Sequence, residues 1–137
     1  GDDERRGRLM DFGLVRSEDE GRSATLSRRV VGTYRYMAPE QARGLPVDAR
    51  ADLYSLGVIL YELLCGRPPF LAQAPGELAR EILTRYPPPV ASVNPGADPR
   101  LAAVAERLLR KDPAERFQSA AEVLQAIRDA EQPVAAR

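Results

Sequence analysis

The stretch "DLYSLGVILYELLCGRPPF", Asp52 to Phe70, decides the fold. Its apolar residues are Leu53, Leu56, Val58, Ile59, Leu60, Leu63 and Leu64, and at helical spacing they leave almost no polar side. A helix apolar all round is a buried one. The run is too short to span a bilayer and carries Glu62. Asp48 upstream is an N-cap residue type, and Gly66 is a helix stop. The prediction is a central helical post running to Cys65, broken by "GRPPF".

Working outward, helical periods continue on both sides. Leu78, Ile82 and Leu83 predict a helix over about Pro75 to Arg85. The proline-rich "YPPPVASVNPGADP" reads as a loop. Asp98-Pro99 pairs an N-cap with a first-turn proline, followed by Leu101, Val104, Ala105, Leu108 and Leu109 at helical spacing. Ser119 and Glu122 form a capping box before Val123, Leu124 and Ile127, expected on a buried face. Upstream, "APEQARG" (Ala38 to Gly44) predicts a short helix ended by Gly44. Leu14 to Val31 is polar, without a sustained period, and reads as a long loop. Leu9 and Met10 read as the end of a short strand. The fold class expected is mainly α: one strand remnant, one long loop and about five helices.

Composition narrows the function. The chain has 137 residues, enough for one modest domain. Lys+Arg and Asp+Glu are 20 each, which argues against a nucleic-acid or anionic-membrane surface as the main business. The one lysine is Lys111 and the one cysteine is Cys65, so there is no internal disulfide framework. The absence of histidine removes histidine triads and histidine-ligated zinc. "GDDERRGR" at the start is charged and is no signal peptide, and the expected location is the cytoplasm.

Four short motifs carry chemistry. "DFG" is Asp11 to Gly13, "GTYRYMAPE" is Gly32 to Glu40, "DLYSLGVILYELLCGRPPF" is Asp52 to Phe70, and "DPAERF" is Asp112 to Phe117. Any one alone is weak; Asp11 alone reads as a strand-end aspartate beside a glycine turn. Together, in this order, they resemble the C-terminal lobe of a eukaryotic-type Ser/Thr protein kinase, with wording closest to bacterial members. The resemblance covers nearly the whole chain as a partial kinase domain. It implies an activation segment over 11–40, a helical subdomain over 41–131 and a tail over 132–137.

The resemblance also implies roles. Asp11 would hold Mg²⁺ bridging the phosphates of ATP. Phe12 would pack to lock or release it, and Gly13 would supply the hinge. Ser17, Ser23, Thr25 and Ser27 lie in the activation loop as phosphate acceptors, with Thr25 first. Thr33 matches the threonine near the catalytic aspartate of Ser/Thr kinases, and substrate would dock along Val30 to Met37. Glu40 and Arg116 would form a buried ion pair. Asp52 would accept backbone hydrogen bonds from the catalytic loop. Tyr54 stands where the family often has tryptophan.

Other kinase parts have no match. No glycine-rich loop is present, Lys111 lies too far downstream for the ATP lysine, and no H-R-D triplet precedes Asp11. Arg128-Asp129 is on the wrong side, and the only asparagine, Asn94, sits in the proline-rich loop. The expectation is therefore part of a Ser/Thr kinase, inactive alone and binding neither ATP nor Mg²⁺ tightly alone. Its expected partners are an N-terminal kinase half and a protein substrate, and apolar surface near Leu53 to Leu64 should be exposed without that half. The alternative is a non-catalytic interaction module.

Overall fold

The computed structural model describes residues 31–132 apart from Thr33. Among these residues there are six α-helices and one 3₁₀ turn, with further helical residues at Val31, Gly32 and Tyr34, and no strand. The helices are α1 (Pro39–Ala42), α2 (Ala49–Cys65), α3 (Pro75–Thr84), α4 (Val90–Val93), α5 (Pro99–Leu108) and α6 (Ala120–Glu131), with the 3₁₀ turn at Pro113–Glu115. The expected strand end at Leu9 and Met10, and most of the expected long loop, lie outside the described residues.

Local chemistry starts these helices. Asp48 accepts from the Arg50 amide at 2.9 Å, Asp98 from the Arg100 amide at 2.8 Å, and Ser119 from the Glu122 amide at 3.2 Å. Each bond satisfies one of the four amides that a helix start leaves unpaired, worth about 1 kcal/mol. Glu122 does not close the expected box. Its carboxylate accepts from the Gln118 amide at 2.7 Å, one residue before the cap. Gly66 ends α2 in the left-handed conformation, φ 78°, which a side chain would strain.

The proline-rich stretch is not all loop. It contains α4, held at its start by the Glu106 carboxylate, which accepts from the Val90 amide at 2.9 Å. Tyr61 Oη donates to the Pro88 carbonyl at 2.7 Å, and Asn94 Nδ2 donates to the Leu64 carbonyl at 2.8 Å. These contacts come from helices 16 to 30 positions away, so composition alone could not reveal the turn.

Helix α2 is central, with two clusters built on it. Tyr54, Val58, Tyr61, Val90, Ala105 and Leu109 form one. Leu53, Val104, Leu108, Phe117 and Val123 form the other, joining α2, α5 and α6. Full burial of each large apolar side chain contributes about 1.5–3 kcal/mol. Gly57 allows the closest approach: a Cβ there would stand 2.6 Å from that of Leu108.

Two burial expectations need correction. Helix α2 is not covered all round: Leu56, Ile59 and Leu63 are 37%, 45% and 77% exposed. They recur at helical spacing on one face, the face expected to be bare without further domain. Leu124 is also exposed, at 48%, because α6 turns Val123 and Ala130 inward instead.

Candidate functional site

The candidate site is the segment 31–45 and the helices beneath it. Val31 is buried with Phe70, Leu78 and Ile82, and Tyr34 and Met37 pack against them. A helical turn holds the segment, with the Arg35 amide on the Val31 carbonyl and the Met37 amide on the Tyr34 carbonyl, both at 3.0 Å. Side chains then fix it from outside. Arg35 Nη1 donates to the Phe70 carbonyl at 2.6 Å and Nη2 to the Ala72 carbonyl at 2.9 Å. Ser55 Oγ donates to the Tyr36 carbonyl. Tyr36 Oη donates to Glu62 at 3.2 Å, and the charge of Glu62, then burial, raises the Tyr36 pKa.

Helix α1 closes the segment. Pro39 needs no amide partner at the first helical position, and Gln41 Oε1 accepts from the Ala38 amide at 2.8 Å. Glu40 then points inward. Its two oxygens accept from Arg116 Nη1 and Nη2, each at 2.8 Å. Arg116 is completely buried. Its remaining donors reach the carbonyls of Arg110 at 2.7 Å, Arg50 at 2.9 Å and Lys111 at 3.2 Å. The Tyr54 ring lies 5.0 Å from the guanidinium carbon. A buried charge is tolerable when paired and hydrogen-bonded this fully. Burial works to raise the Glu40 pKa, but the Arg116 bonds, a backbone bond and the Arg116 charge together hold it below its ordinary value.

Of the residues singled out from sequence, Glu40 and Arg116 are brought together. Asp52 is exposed on the first turn of α2. Asp11, Phe12, Gly13, Ser17, Ser23, Thr25, Ser27 and Thr33 lie outside the described residues. Among the described residues, no group of three or more His, Cys, Asp or Glu is placed to hold a metal ion. Sequence reasoning missed Arg35 and Ser55, and it treated Tyr54 as a departure without seeing its contact with Arg116. The one available signal for Arg35 was an arginine inside an otherwise uncharged run, "GTYRYM".

Comparison with known families matches residues 2–127 to the protein kinase domain. The chain belongs to the protein kinase family. It is 44% identical over 117 residues to the serine/threonine-protein kinase PknB of Mycolicibacterium smegmatis, covering 85% of the chain but 19% of that relative. This kinase chain thus spans about a fifth of the length of that relative. Among solved structures it is similar to the Mycobacterium tuberculosis PknI kinase domain, with TM-score 0.55, 33% identity, 69% of this chain and 34% of that one. It is also similar to the twitchin kinase region from C. elegans, with TM-score 0.65, 30% identity, 77% of this chain and 18% of that one. No described helix is long and apolar enough to cross a membrane.

Proposed function

We propose that this chain supplies the substrate-docking and helical part of a protein Ser/Thr kinase, which moves the γ-phosphate of ATP to Ser or Thr of protein substrates. The observation carrying this reading is the Glu40–Arg116 pair, which ties the end of segment 31–45 to the helical core at 2.8 Å through two parallel bonds. Phosphoryl transfer depends mainly on positioning and charge, so a rigid seat for the acceptor peptide is itself catalytic equipment. Thr33 would select Ser/Thr substrates, and substrate would lie along Val30 to Met37. Thr25, with Ser23 and Ser27 as neighbours, would be the regulatory phosphate acceptor.

Asp11 is the proposed Mg²⁺ ligand of the intact enzyme. The stripe Leu56, Ile59 and Leu63 is the surface against which the remaining domain would pack. This agrees with the chain covering 34% of the PknI kinase domain.

The test is peptide phosphorylation by the full-length protein with Mg-ATP. Transfer to Ser or Thr, abolished by Asp11→Ala, is the expected result. Transfer to tyrosine alone, or none, overturns the reading. The purified 137-residue chain is expected to transfer no phosphate above background, and Asp11-dependent transfer by it would refute that part.

A further inference from the structure

Lys111 is the one lysine among 20 basic residues, and its surroundings are unlike those of a solvated surface cation. Its Nζ donates to the Ile82 carbonyl at 2.6 Å. It also lies 5.0 Å from the ring centroids of both Phe70 and Tyr86. Ile82 is in the last turn of α3, where carbonyls lack helical amides and a cation meets the negative end of the helix dipole. Two aromatic faces on one ammonium add cation–π attraction.

Phe70 is held from the other side as well. Its carbonyl accepts from Arg35, so one residue carries Lys111 on its ring and Arg35 on its backbone. Ile82 is similarly double: its carbonyl takes Lys111, and its side chain packs with Val31 and Phe70. Every link from Lys111 to segment 31–37 is therefore a direct contact.

The ammonium sits there at a cost. Burial, then the charges of Arg116 and Arg43, lower its pKa to about 8. A compact ammonium fits between two rings and one carbonyl, where a planar guanidinium needs more room.

We infer that Lys111 is a positioning residue for substrate docking, acting through Phe70 and the end of α3 to set the seat of segment 31–37. This rests on the kinase reading above. The experiment compares the full-length protein with Lys111→Met, which keeps an apolar stem, and with Phe70→Leu. Steady-state peptide phosphorylation and amide hydrogen exchange are both read. The expected result for Lys111→Met is a rise of about threefold or more in peptide KM, with kcat and the KM for ATP within about twofold. The Arg35 and Met37 amides should exchange faster while α6 keeps its protection. Lys111→Met should have a smaller effect in the Phe70→Leu background than alone, because the ring contact is already gone while the bond to the Ile82 carbonyl remains to be lost. Unchanged peptide KM with unchanged exchange overturns the inference. Equal loosening of α6 does so too, since Lys111 would then be a general anchor of the lobe. Failure of the unmodified protein to phosphorylate any peptide counts against the kinase reading alone, because the exchange comparison still tests how Lys111 seats the segment.

Discussion

The seam between α2 and α5 and the seat of segment 31–45 are held in opposite ways. The seam is apolar and close, with Gly57, which has no side chain of its own, set directly against Leu108 and Leu109. The seat also has an apolar patch, but its position is set by directed bonds to carbonyls and carboxylates from Arg35, Ser55, Arg116 and Lys111. Apolar contact is roughly proportional to area and indifferent to direction. Hydrogen bonds fix distance and angle but add only about 1 kcal/mol net each. The seam makes the lobe hold together, and the polar ties decide where the segment stands.

The sharpest way to break the seat is Glu40→Ala. It leaves Arg116 charged and completely buried, and the expected loss is about 3–5 kcal/mol in urea denaturation of the intact kinase domain. The same pair predicts acid sensitivity. The Glu40 pKa is held below its ordinary 4.5 by the net effect of Arg116 and its own backbone. The folded state thus binds its proton less readily than the unfolded one. The pair's contribution is present above about pH 4.5 and is lost as pH falls through the lower folded value. Stability curves against pH should show a shallower acid limb once Glu40 is replaced.

Gly57→Ala attacks the seam. Its Cβ would meet Leu108 at 2.6 Å, and overpacking costs about 1–3 kcal/mol. The better helix propensity of alanine returns about 1 kcal/mol. A net loss of about 1 kcal/mol in thermal melts, with peptide KM unchanged, is expected. A gain in stability would show that the two helices separate freely. Smallest is Asp98→Ala, which removes the α5 cap and a long, exposed ion pair with Arg100 at 3.9 Å. It should cost about 1 kcal/mol or slightly less. That loss should add independently to the loss from Glu40→Ala, checked by a double-mutant cycle.

Much of this architecture was legible. The bounds of α2 followed from Asp48 and Gly66, and the start of α5 from Asp98-Pro99, because the residues concerned are neighbours in the chain. Periodicity at Leu78 and Ile82 marked α3, and both residues are buried. It failed at Leu63 and Leu124, which share the composition of core positions but face away from the packed elements. Helix α4 was hidden by prolines, since its partners Glu106 and Leu64 lie on other helices. The pairing of Glu40 with Arg116, 76 positions apart, came from family resemblance, not from spacing. Nothing local announced that Arg35 would clamp two carbonyls 35 and 37 residues onward.

The helix ends divide the two kinds of information most clearly. By itself the sequence determined three of the starts: Asp48, Asp98 and Ser119 each cap an amide two or three residues ahead, whereas the start of α4 waits for Glu106. Only the tertiary structure decided what meets the carbonyls at the other ends. Asn94 reaches the Leu64 carbonyl of α2, and Lys111 the Ile82 carbonyl of α3. Arg100 reaches the Asp129 and Ala130 carbonyls of α6. The cause is the direction of the side chains. Along a helix every Cα–Cβ bond leans toward the N-terminus, so residues at a helix end lean away from their own last carbonyls. A neighbour in sequence can cap a start, but these ends drew their side-chain donors from elsewhere in the fold.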